Sequence, residues 1–201
     1  ISILKRVHLE RLQYNLIKME KLDIIPRSSI FLKKVFQSEG LPNYRYLLTL
    51  PNTFDETSKT TFPLLLFLHG AGEVGLDFTA VMKHGIPRLL KGYDEWKNGK
   101  QKDLGINLDC AKFLAENFIT VSPQAAPRSD YWNEIALSGL LDEVQNEFPV
   151  DKQRVYITGL SRGGFGTFDL AAYSPKRFAG IVPICGGARA ETTAKAIKDI
   201  P

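Results

Sequence analysis

Histidine and cysteine are both scarce in this 201-residue chain, and where they are missing matters more than how few there are. The two cysteines, Cys110 and Cys185, lack the spacing of a metal site or of a redox pair. One disulfide between them is possible, but two buried thiols are the default expectation. No apolar run approaches the roughly 20 residues that a membrane-spanning helix needs. The first residues also lack the compact apolar stretch, roughly 7 to 15 residues long, of a signal peptide. All three histidines, His8, His69 and His84, fall in the first half of the chain.

What is present is the composition of an ordinary globular protein, 44% hydrophobic and 24% charged, with length enough for one domain and a sizeable core. The net charge of +4 is unevenly spread. Residues 1–34 hold Lys5, Arg6, Arg11, Lys18, Lys21, Arg27, Lys33 and Lys34 against Glu10, Glu20 and Asp23, which leaves the remainder slightly acidic. A solvated basic face is the expected reading, since no nucleic-acid-binding motif accompanies these charges.

Leu9, Leu12, Leu16 and Met19 recur at helical spacing, so residues 1–29 are expected to form a basic helical extension ending near Pro26. Two strand-like stretches follow, Ile30 to Phe36 and Tyr44 to Leu50, and then the continuous apolar run Phe62 to Leu68. A run of that kind suits a strand buried on both faces of a parallel sheet. Phe78 to Leu90 reads as a helix interrupted by Pro87, and residues 91–105 read as an exposed polar insertion. Beyond it, strands are expected at Phe118 to Ser122, Arg154 to Leu160 and Phe178 to Cys185. Helices are expected around Leu137 to Phe148, Phe165 to Ala172 and Ala188 to Lys198. Such alternation predicts an α/β domain over residues 30–201, mostly a parallel sheet with helices on both faces.

The strongest local pattern is Gly159-Leu160-Ser161-Arg162-Gly163-Gly164, set between a β-rich strand and a helix. In a nucleophile elbow the serine sits on a strained strand-to-helix turn. Side chains two residues before and after it would collide, so glycine belongs at 159 and 163. Ser161 is thus the candidate catalytic residue, at a helix N-terminus whose free N–H groups favour developing negative charge. Upstream, His69-Gly70-Ala71-Gly72 follows the buried apolar strand, where the backbone N–H groups of Ala71 and Arg162 become candidate oxyanion-hole donors.

At these residues the chain resembles the esterase and predicted-peptidase branch of the α/β-hydrolases, which includes polyhydroxybutyrate-depolymerase-like and feruloyl-esterase-like proteins. The matching stretches are Pro63 to Glu73, Val121-Ser122-Pro123-Gln124, Val150 to Gly166 and Ile181 to Gly187. The resemblance implies an α/β-hydrolase fold, a Ser-His-Asp mechanism on small-molecule carboxylic esters or amides, and no cofactor or metal. It also implies that Trp132 lies near the substrate pocket, although a packed core aromatic is an equal reading.

A serine needs a general base, and in this fold the triad runs Ser, then Asp or Glu, then His. No histidine follows Ser161. His69 is expected to order the oxyanion loop and His84 to be a surface or structural residue, and neither Asp169, Glu191 nor Asp199 is placed as a triad acid. The chain is therefore expected to be the N-terminal part of a hydrolase domain, C-terminally truncated before the acid, the histidine and the final strands. By itself it should be nearly inactive. A hydrolase-fold binding module without catalysis, and a serine peptidase of the same fold, are the alternatives.

Overall fold

A computed structural model of the chain describes residues 30–100, 105–188 and 191–201. The expected helix around Leu9 to Met19 lies outside the described residues. Among the described residues six strands form one sheet: β1 (Leu32–Phe36), β2 (Tyr44–Thr49), β3 (Phe62–Leu68), β4 (Ile119–Gln124), β5 (Val150–Leu160) and β6 (Gly180–Ile184). Their order is β1-β2-β4-β3-β5-β6. The first two strands run antiparallel, β1 to β2 and β2 to β4, while β4, β3, β5 and β6 run parallel.

Helices cover both faces, and the sequence patterns show why. Helix α2 (Gly85–Lys97) and helix α3 (Leu108–Asn117) bury Leu90, Tyr93, Ala111 and Leu114 against Leu47 of β2. Preceding them is a single turn, α1 (Phe78–Val81), capped by the Asp77 carboxylate accepting from Thr79 N–H. On the other face, α4 (Glu134–Glu147) lays down Ala136, Leu137, Leu140, Leu141 and Val144. With Leu170 and Ala171 of α5 (Arg162–Tyr173), these meet Leu48, Leu64, Leu66, Leu68 and Val121 of the sheet. Helix α4 begins where the Asn133 side chain accepts from Ala136 N–H, which satisfies one otherwise unpaired donor. A last helix, α6 (Glu191–Ile197), packs beside α5.

Three sequence expectations need correction. Pro87 does not interrupt a helix: it stands in the first turn of α2, where backbone N–H groups have no intrahelical acceptor to lose. The break falls earlier, between Val81 and Gly85. Residues 91–97, read as insertion, continue α2, and its Tyr93 is buried. The two cysteines are free thiols, but both are exposed rather than buried. No described helix is long and apolar enough to cross a membrane.

Candidate active site

Strands β3 and β5 lie side by side, with Leu68 paired to Gly159, so their C-terminal ends deliver His69 and Ser161 to the same edge of the sheet. This is where the chain order reverses direction across a doubly wound sheet, the place where such folds bind ligands. Ser161 has φ 54° and ψ −114°, a left-handed conformation that costs a non-glycine residue about 1–3 kcal/mol. Its N–H donates to the Ile184 carbonyl (2.8 Å), which ties the turn to the end of β6. Its side chain is exposed and makes no capping bond to α5, although it occupies the N-cap.

Close approach of backbone holds this turn in place. A Cβ on Gly163 would run into the Leu68 carbonyl and stand 2.8 Å from that of His69. One on Gly159 would meet the Gly163 carbonyl and Thr167 Oγ1 at 2.9 Å. Helix α5 can therefore start hard against β3 only because both positions lack side chains. At Gly70 the added atom would lie 3.8 Å from Ser161 Cβ, so the loop after β3 passes directly beside the serine. Ala71 opens a short 3₁₀ turn, Ala71–Glu73, there.

That loop is pinned from beneath. His69 is buried, its Nε2 accepts from Ala125 N–H (3.0 Å), and its Nδ1 donates to the Gly70 carbonyl (2.6 Å). Both ring nitrogens are occupied, as a loop-ordering histidine requires. Gln124 adds two bonds from its amide, to the carbonyls of Glu73 (3.0 Å) and Asp77 (2.8 Å). Glu73, a buried carboxylate, stands between His69 Nδ1 (3.9 Å) and His84 Nε2 (3.7 Å). Sequence reasoning passed over Gln124 and Glu73 as site residues, although both lie within the stretches that carry the family resemblance.

Burial holds His69 below the ordinary histidine range, outweighing the Gly70 bond and the Glu73 charge. Its unfolded pKa of about 6.5 then exceeds its folded one, so the unfolded chain binds more protons. Stability from this residue is complete above about pH 6.5 and declines as the pH falls below that value. The urea midpoint should accordingly drop between pH 7.5 and 5.5, and His69→Gln should flatten that drop while lowering stability throughout. An unchanged slope in the variant would assign the pH dependence elsewhere.

Trp132 is buried, packed against Tyr44 (ring centroids 5.6 Å apart) and His69 (4.8 Å). Gly166 of α5 accommodates it, since a Cβ there would come within 2.6 Å of the indole Cδ1. The packed-aromatic reading describes its surroundings, and those surroundings adjoin the serine turn. An apolar depression lined by Leu65, Tyr156, Ile181, Val182 and Pro201 lies along the middle of β5 beside β6, and Ser161 is not among its lining residues. Among the described residues no cluster of three or more histidine, cysteine or acidic side chains could hold a metal ion.

The sheet order, its two helical layers and the strand-to-helix serine turn define an α/β-hydrolase fold. The family model Esterase, described as "Putative esterase", matches residues 42–186, and the chain belongs to this family. Poly(3-hydroxyalkanoate) depolymerase C of Paucimonas lemoignei is 42% identical over 126 residues, 62% of this chain and 28% of its own length. Among solved structures, a thermostable esterase is 28% identical with a TM-score of 0.63, over 86% of this chain and 45% of that one. A ferulic acid esterase at 18% identity and TM-score 0.53, covering 75% of this chain and 58% of its own, shares the fold. The chain thus spans less than half the length of the depolymerase and of the thermostable esterase.

Proposed function

We propose that this chain supplies the nucleophile and the oxyanion hole of a serine hydrolase for carboxylic esters. The observation that carries the reading is Ser161 itself: an exposed hydroxyl held in a strained turn at the start of α5, with the loop from Gly70 alongside. In this reading Ser161 Oγ attacks the ester carbonyl while a base takes its proton. The carbonyl oxygen becomes an oxyanion facing the N–H groups of Ala71 and Arg162. Collapse expels the alcohol, which receives the proton, and water then hydrolyses the acyl-serine by the same route.

The base is not His69, whose two nitrogens are spent on Ala125 and Gly70. The fold's chain order places the acid and then the histidine after the serine, so both are proposed to follow Pro201 in the full-length protein. The Pro201 carbonyl accepts from Ile181 N–H (2.9 Å), which would lead a continuing chain alongside β6. Val182 and Ile184 of β6 are exposed and would be covered there. In this division residues 1–29 are an extension and residues 30–201 the N-terminal part of the hydrolase domain, nearly inactive alone.

The test is stoichiometric labelling of the full-length protein by a fluorophosphonate, lost in Ser161→Ala, with turnover of 4-nitrophenyl butanoate. A full-length protein that binds esters but resists labelling would be a binding module instead. Faster turnover of amides than of matched esters would make it a peptidase.

Ala71→Pro isolates the oxyanion donor. Gly70 is extended (φ −77°, ψ −173°), as a residue before proline must be, and Ala71 is the first residue of its turn, where proline fits without losing a helical bond. The substitution removes one N–H and little else, and kcat should fall by about 10²–10³. A loss below tenfold in a folded variant would remove Ala71 from the oxyanion hole.

A further inference from the structure

The side chain of Arg162 is unaccounted for by the chemistry above, which uses only its backbone N–H. Its Nε and Nη2 are both buried and have no hydrogen-bond partner among the described residues. The indole Nε1 of Trp132 is likewise buried and unpartnered, on a residue only 4% exposed. All three atoms are donors. Buried donors left without acceptors are costly, and charged ones more so.

These donors belong to one neighbourhood. Trp132 packs on Tyr44, His69 and Gly166, and Gly166 lies one turn beyond Arg162 on α5. The Arg162 charge acts on Tyr44 and on His69, the same two rings. The Tyr44 hydroxyl is already engaged, accepting from Asn133 N–H (3.0 Å). Asp130 is the carboxylate acting on Arg162, but it is exposed and leaves Nε and Nη2 unbonded. Arg162 as a whole is half-buried, and it directly follows the exposed Ser161 in the chain. A guanidinium whose Nε/Nη2 edge lacks an acceptor is matched by a carboxylate, which takes two parallel bonds in a fixed plane once the side chain turns that edge toward the ligand.

We propose that Arg162, backed by the Trp132 indole N–H, selects ester substrates that carry a carboxylate a few bonds from the scissile ester. This rests on the serine-hydrolase reading of the same site. The carboxylate could sit on the acyl or on the alcohol side, and the experiment separates the two.

For the acyl side, kcat/KM of the full-length protein is compared for 4-nitrophenyl hydrogen glutarate and 4-nitrophenyl pentanoate. For the alcohol side, 4-butanoyloxybenzoate is compared with 4-methylphenyl butanoate. In one arm the anionic ester should be favoured by about tenfold or more, the range of a charge-assisted bond in a partly dry site. That preference should shrink with added salt. It should collapse toward unity in Arg162→Met, survive only in part in Arg162→Lys, which keeps the charge but not the fork, and weaken in Trp132→Phe.

Titration of glutarate into full-length Ser161→Ala supplies a readout independent of turnover, with binding expected there and lost when Arg162→Met is added. A ratio at or below one in both arms, or a preference unaffected by Arg162→Met, overturns the inference and leaves the hydrolase reading intact. Absence of Ser161 labelling together with Arg162-dependent glutarate binding overturns the hydrolase reading and leaves the carboxylate site standing.

Discussion

Ser161→Ala in the full-length protein should lower kcat by about 10⁴–10⁶ and leave the thermal midpoint nearly unchanged. The size follows from the division of labour at such sites. Where a serine and its base act as a unit, removing either alone has cost about 10⁶ in kcat, and the oxyanion donors and substrate contacts retain only a residue of the catalysis. The insensitivity of the fold follows from the structure. The Ser161 hydroxyl caps nothing in α5 and is exposed, so its loss forfeits no buried contact. Alanine must adopt the same left-handed backbone as serine, and neither has an advantage there. A variant that loses activity and stability together would instead make the hydroxyl structural. A variant that retains activity within tenfold would move the nucleophile elsewhere.

Ser161 stands out in the sequence because its side chain is structurally idle amid a constrained turn. No core pattern calls for a serine there, while the glycines around it are dictated by backbone contact. The same logic explains the legibility of β3. Phe62 to Leu68 is apolar without alternation because both sheet faces are covered, by α2 and α3 on one side and α4 and α5 on the other. Helix α4 was legible because its buried residues follow one period without a break.

What could not be read involves geometry that periodicity does not encode. Pro87 weighs against helix anywhere but the first turn, and only the observed start at Gly85 shows that it occupies one. Lys91 to Lys97 looks like a solvated loop because a single face of α2 is buried there, chiefly through Tyr93. Gln124 and Glu73 carry no pattern at all. Their roles come from two carbonyls and two imidazoles brought within reach by the pairing of β3 with β4. The orphaned nitrogens of Arg162 are further still from sequence, since they depend on which side chains surround a guanidinium rather than on its position in a motif.

Gly163→Ala should be the most damaging single-methyl change in the domain, destabilising it by about 4 kcal/mol or more and abolishing soluble expression or reducing it severely. Its Cβ would have to share space with the Leu68 carbonyl, with His69 O at 2.8 Å, and both are backbone atoms of the segment that leaves β3. No rotamer change relieves such an overlap; α5 must move off the sheet. That movement would lift Ser161 away from Gly70 and Ala71 and part Leu170 and Ala171 from the core they share with Leu66 and Leu68. Gly72→Ala is the matched control: an added Cβ meets nothing within 4 Å, and Gly72 is itself exposed, in the 3₁₀ turn only two residues beyond Gly70. Its effect on stability should stay within about 0.5 kcal/mol. Urea or thermal unfolding of the two variants side by side decides the matter. Equal and small losses would mean that the contact between α5 and the end of β3 is looser than the close approach at Gly163 requires, and the positioning of Ser161 against the Ala71 loop would lose its structural basis.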